Sequence, residues 1–102
     1  MRPIHVAQLD KARPVLILTR EQVRPYLSRV TVAPITTRNR GLSTEVPVGR
    51  ANGVDRDSVV SCDNVVTIPK SALGRHVGYL LPEQEPELAA AVRAAFDLDF
   101  RS

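Results

Sequence analysis

Apolar and polar positions come in short blocks along most of the chain, and the block lengths predict strands rather than helices. Ile4 to Leu9 reads as a first strand and Pro14 to Thr19 as a second, separated by the tight gap Asp10 to Ala12. Val15, Leu16, Ile17 and Leu18 run without polar interruption, the pattern of a strand covered on both faces. Thr19 is placed to cap a turn or two of helix over Glu21 to Leu27, kept short by Pro25. A third strand runs from Val30 to Ile35, followed by the polar, turn-forming stretch Thr36 to Gly41. Glu45 to Val48 predicts the returning strand, with Pro47 marking an edge or bulged position.

A second polar loop spans Gly49 to Asp57, and strands at Ser58 to Cys62 and Val65 to Ile68 flank Asp63-Asn64. Pro69 to Gly74 suggests one helical turn closed by glycine, and Val77 to Leu81 a last short strand. The period changes after Pro82. Leu88, Val92 and Phe96, with Ala89 and Ala95 beside them, recur at helical spacing over Glu83 to Leu98, with acids early and Arg93 late, as the helix dipole favours. The pattern predicts a mainly β, α+β fold: five to seven short strands forming a small, SH3-like, partly open barrel with a C-terminal helix across it. No linker or repeat divides the sequence, so a single domain is expected over residues 1–102.

Composition narrows the function classes. Apolar residues make up 43% and charged residues 25%, and no apolar run nears the ~18 residues of a membrane span. The first residues lack the apolar core of a secretory signal, so a cytoplasmic location with no membrane partner is the expectation. The single cysteine, Cys62, excludes an internal disulfide and reads as an inert core thiol. No His, Cys or Asp set has metal-ligand spacing. The net charge is +3, and Lys11 and Lys70 are the only lysines among 14 basic residues. Arginine's planar fork suits bidentate phosphate contacts, which favours a nucleic-acid partner.

The candidate chemistry is a cation and a hydroxyl. Lys11-Ala-Arg13-Pro14 sets basic groups directly before an apolar strand, and Ala33-Pro-Ile-Thr36-Thr37 ends another strand about one hairpin later. An arginine and a threonine at the polar ends of neighbouring strands can grip a phosphodiester and its leaving oxygen without a metal, histidine or cysteine. His5 and His76 open a second reading, in which two imidazoles act as acid and base. With four aromatic residues and no tryptophan, a broad base-stacking platform is not expected.

The ordered set Arg13-Pro-Val-Leu-Ile-Leu18, Ala33-Pro-Ile-Thr-Thr37, Asp57-Ser-Val-Val-Ser-Cys-Asp-Asn64, Thr67-Ile-Pro-Lys70 and Leu73-Gly-Arg-His-Val-Gly-Tyr-Leu80, ending in a helix with Phe96-Asp-Leu98, resembles the MazF/PemK toxins of bacterial type II toxin-antitoxin modules, the mycobacterial members in particular. The resemblance runs from about Arg13 to Asp99. It implies a barrel of the CcdB/MazF type and a ribosome-independent, metal-independent endoribonuclease, an mRNA interferase. Such an enzyme cuts single-stranded RNA at short sequences to 2',3'-cyclic phosphate and 5'-hydroxyl ends, inhibiting translation and growth. A homodimer, no cofactor, and silencing by a cognate MazE-like antitoxin are implied as well.

In that family an arginine and a threonine at the end of the following strand are the catalytic pair, matching Arg13 and Thr36, with Thr37 as the alternative hydroxyl. The resemblance makes Lys11, Thr37, Arg38, Arg40, Ser58 and Asn64 candidates for RNA binding. Two departures stand out: the first strand lacks the usual Gly-Asp/Glu start, and the loop before Arg13 is compressed to Asp10-Lys-Ala, leaving no obvious general base. Competing expectations are a CcdB-type inhibitor that poisons DNA gyrase through its C-terminal end, although the tail Phe100-Arg-Ser lacks the expected tryptophan, and a nucleic-acid-binding barrel without turnover.

Overall fold

The computed structural model describes residues 1–98. Seven strands precede one helix: β1 (Pro3–Gln8), β2 (Ala12–Ile17), β3 (Arg29–Thr36), β4 (Glu45–Val48), β5 (Ser58–Ser61), β6 (Val66–Pro69), β7 (Leu73–Tyr79) and α1 (Glu85–Ala95). All pairings are antiparallel, in the order β4-β5-β3-β2-β1-β7. β6 pairs with the Arg29 to Val32 half of β3, while β5 pairs with Ile35 and Thr36. Two strands thus share one edge of β3, and the barrel stays partly open, as the sequence predicts. Pro47 lies in the edge strand β4, where its missing N–H leaves no ladder bond unmade.

Side-chain alternation divides the core in two. Ile4, Leu16, Ala33 and Ile35 meet Val46, Val60, Cys62 and Leu80, and Leu88 and Ala91 of α1 close that cluster. Val15, Ile17, Val30 and Val32 meet Ala7 and Ile68 on the opposite face. β2 therefore feeds both clusters, which explains its unbroken apolar run.

The helix is tied to the sheet by Arg2, whose Nε donates to Glu85 at 2.9 Å and whose Nη1 donates to the Leu18 carbonyl at 2.7 Å. Asn52, 2% exposed, is a second tie: its Nδ2 donates to Tyr79 O at 2.9 Å and to Gln84 Oε1 at 2.6 Å, and its Oδ1 accepts from Gly49 N–H at 3.1 Å. A buried amide satisfied at each end fixes this loop against β7 and the start of the helix. Backbone meets backbone there, for a Cβ at Gly78 would lie 1.9 Å from the Asn52 carbonyl oxygen and one at Gly53, φ +91°, 2.3 Å from that of Val77.

Cys62 follows β5 in a 3-10 turn and is 1% exposed. Burial pushes its thiol up to about 11, and the Asp63 charge acts in the same direction. The folded chain holds this proton more tightly than the unfolded chain does, so stability declines as pH rises from 9.0 toward about 11. An alkylating reagent at pH 7.5 should leave the native thiol untouched and modify it fully in guanidinium. Rapid labelling of the native protein would show that the site opens locally.

Several boundaries differ from the expectation. Thr19 caps no helix; its Oγ1 accepts the Thr31 N–H at 2.8 Å, and only one 3-10 turn forms, at Arg24–Tyr26, with Pro25 at its start. Lys70–Ala72 is likewise a single 3-10 turn, and Gly74 lies inside β7, which starts at Leu73 rather than Val77 because it pairs along β1 from Ala7 to Pro3. A 3-10 turn at Pro82–Gln84 precedes α1. Phe96, expected on the apolar stripe, is the C-cap and 56% exposed. Asp97 adopts φ 54° and Leu98 N–H bonds back to Arg93 O at 2.9 Å, which ends the helix a turn early. The Phe100-Arg-Ser tail lies outside the described residues.

Candidate active site

Arg13 enters β2 at its polar end and Thr36 leaves β3 at its polar end. The β2–β3 ladder pairs Val15 with Pro34, so the same register carried two residues further sets Arg13 opposite Thr36 on one face. Both line an open groove of about 800 Å³ whose walls also include Lys11, Thr37, Arg38, Arg40 and Asn64. Seven of the eight residues singled out from sequence thus share one concavity. Ser58 does not: its Oγ donates to Arg56 O at 2.9 Å, and it lines a neighbouring depression near Gly49 and Gln84, which also touches Thr37.

Arg13 is a seated guanidinium, its side chain 23% exposed. Nη2 donates to Asp10 Oδ2 at 3.1 Å, across the tight turn in which Leu9 N–H meets Lys11 O. Nε is buried without a partner. The Arg24 Nε is unpartnered in the same way, and an unsatisfied buried donor is costly, so the Arg13 guanidinium adds little to stability. At Asp10 desolvation pushes the carboxyl upward, but the Lys11 backbone N–H and the Arg13 charge outweigh it and hold the pKa below the ordinary carboxylate value. With the folded value lowered, the pair is present above the usual ~3.9 and is lost as pH falls through the lower folded value, so Asp10 stays ionised at neutral pH.

Thr36 Oγ1 accepts the Arg38 N–H at 3.1 Å, so its own O–H remains available to donate into the groove. Thr37 is exposed, with its backbone oxygen engaged by Asn39 N–H at 3.1 Å. Beyond it the loop is shaped by two side chains: Glu45 accepts N–H bonds from Arg40 at 3.1 Å and Leu42 at 3.0 Å, and Asn39 Oδ1 accepts from Gly41 at 2.8 Å, φ +69°. Asp63 is held by the Thr44 hydroxyl, and Asn64 Nδ2 donates to Ser61 Oγ at 2.8 Å.

The groove's three carboxylates, Asp10, Glu45 and Asp63, are therefore each engaged by protein donors. The side chains of Lys11, Arg38 and Arg40 are exposed and make no ion pair or hydrogen bond among the described residues. A phosphate backbone would find free cations and satisfied anions, with Arg13 and the Thr36 hydroxyl among the lining groups.

Sequence reasoning left Asp10 and Glu45 out of the site. Each carried a signal: an acid three residues before the key arginine across a tight turn, and an acid opening the strand after an Asn-Arg-Gly loop. His5 and His76 meet as cross-strand partners with ring centres 5.1 Å apart, yet neither lines the groove, so an acid-base pair acting at this site has no support.

Comparison with known proteins places the chain in a family. Residues 3–96 match the family model described as PemK-like, MazF-like toxin of type II toxin-antitoxin system. Endoribonuclease MazF3 of Mycobacterium tuberculosis is 70% identical over 100 residues, covering 98% of this chain and 97% of that protein. The solved Mycobacterium tuberculosis toxin MazF-mt6 superposes with a TM-score of 0.95 at 70% identity, covering 97% of this chain and all of that one. A mycobacterial endoribonuclease solved in complex with its cognate antitoxin shares the fold at a TM-score of 0.87 and 24% identity, covering 97% and 95% of the two chains.

Proposed function

The chain belongs to the PemK/MazF family of type II toxin-antitoxin toxins, and from that premise we propose that its groove is the RNA-cleaving site, with Arg13 and Thr36 as the catalytic pair. The protein is an endoribonuclease toxin, as its 70% identity to MazF3 over nearly the whole chain supports. The observation that carries the residue assignment is the register that aligns Arg13 with Thr36 in a groove edged by unpaired cations.

In this reading a single-stranded RNA lies along Lys11, Arg38 and Arg40, which hold its phosphates, while Asn64 faces a base. The 2'-oxygen attacks phosphorus, the bond from phosphorus to the 5'-oxygen breaks, and the proton lost by the 2'-hydroxyl ends on the leaving 5'-oxygen. The products are a 2',3'-cyclic phosphate and a 5'-hydroxyl. Negative charge gathers on the phosphorane oxygens, where the Arg13 guanidinium and the Thr36 O–H stabilise it. Asp10 orients Arg13. With each of the groove's carboxylates engaged by protein donors, rate comes from positioning and electrostatics.

A toxin of this kind has a cognate MazE-like antitoxin as its partner, and the structure of a relative with its antitoxin supports that partnership. We take the chain as one toxin domain over residues 1–102, acting as a homodimer in the cytoplasm. No described helix is long and apolar enough to cross a membrane. The gyrase-inhibitor and binding-only alternatives are not favoured, since the relatives are named as endoribonucleases.

The test is incubation with a long mixed-sequence RNA in EDTA, with mapping of the new ends. Discrete cuts bearing 5'-hydroxyls are expected from the parent. Thr36→Ala should slow cutting by about 10²-fold, the effect of losing one transition-state donor, and Thr37→Ala by no more than a few-fold. Equal loss in both would move the role away from Thr36, and 5'-phosphate ends would reject the 2'-oxygen as nucleophile.

A further inference from the structure

Outside the groove, His5 of β1 and His76 of β7 are direct cross-strand partners and share one face of the sheet. Their ring centres are 5.1 Å apart, and Tyr79 packs edge-on against His76 at 4.6 Å. His5 Nδ1 lies 3.0 Å from the Gly74 carbonyl oxygen. A carbonyl only accepts, so Nδ1 carries the proton and the neutral ring presents the Nε2 lone pair. His76 is exposed, and its ring nitrogens bond no described residue.

We propose that His5 and His76 form a binding site for a divalent transition-metal ion, bridging the β1 and β7 strands at the sheet edge. Two imidazole nitrogens bound to one ion at ~2.0–2.1 Å set their ring centres about 5 Å apart, close to the 5.1 Å found between His5 and His76. Metal-bound histidines characteristically donate the other ring N–H to a backbone carbonyl or carboxylate, and the Gly74 carbonyl already fills that role for His5. No third His, Cys, Asp or Glu joins the pair among the described residues, so water completes the coordination. An all-nitrogen pair with open positions selects by the Irving–Williams order, Cu²⁺ first, then Ni²⁺ and Zn²⁺.

The site is independent of the ribonuclease reading, and its test does not use RNA. Untagged chain is titrated with Cu²⁺ and Ni²⁺ by calorimetry at pH 7.5, and the Cu²⁺ form is examined by electron paramagnetic resonance. One ion per chain with two-nitrogen coupling is expected. His5→Ala and His76→Ala should each weaken binding by at least about tenfold, and Tyr79→Phe should not. His76 is exposed, so its variant tests the site without endangering the fold. Absence of saturable 1:1 binding, or binding that survives in His76→Ala, overturns the proposal.

Discussion

Arg13→Ala should lose RNA cleavage, with kcat/KM down by at least about 10²–10³-fold, while the protein melts at or near the parent temperature. The two outcomes come from the same geometry. Arg13 contributes one hydrogen-bonded ion pair to exposed Asp10, and its Nε is buried without a partner, so folding gains little from the guanidinium. The transition state gains much, because charge develops on phosphorane oxygens where a planar fork can offer two parallel donors. Arg13→Lys keeps the charge and loses the fork, and should fall between parent and alanine. Cutting by Arg13→Ala at the parent rate would sink the assignment, and a fall in Tm of several degrees would mean that the side chain is structural.

The second large effect is on stability. Gly78→Ala should lower Tm by about 10–20 °C, because the new methyl group meets the Asn52 carbonyl oxygen at 1.9 Å and its carbon at 2.7 Å. Neither obstacle is a flexible side chain. To make room the loop must leave β7, and that pulls apart the hydrogen bonds from Asn52 to Tyr79 and Gln84. Gly41→Ala is the contrast: nothing lies within 4 Å of its added carbon, so only the cost of a left-handed φ remains, about 1 kcal/mol. A Gly78→Ala protein melting within two degrees of the parent would show that the loop yields more easily than its contacts imply.

What could be read in advance followed from periodicity and position. The uninterrupted run from Val15 announced a strand with core on both sides, and the spacing of Leu88 and Val92 announced the helix, because each pattern has one dominant physical cause. Strand ends were less legible: the early start of β7 depends on a pairing with β1 some seventy residues away, which no local signal carries. Arg13 and Thr36, a cation and a hydroxyl at polar strand ends, are conspicuous in the sequence; the family resemblance proposes their roles, and the fold brings both into one groove. Ser58 lies outside the groove, in the adjoining depression that also touches Thr37, because its hydroxyl turns to Arg56. Asp10 and Glu45 went unremarked because their work is done on neighbours, one on a guanidinium and one on backbone N–H groups.

That second role has a thermodynamic consequence. By gathering the amides of Arg40 and Leu42, Glu45 makes the loop bearing Arg38 and Arg40 adopt its shape during folding rather than at the encounter with RNA. The entropy of ordering that segment is thus charged to the folding equilibrium and not to association. Glu45→Gln, which leaves Lys11, Arg38 and Arg40 in place, should weaken RNA binding through a more unfavourable entropy and a slower association rate, a toxin disarmed by slackness rather than by loss of charge.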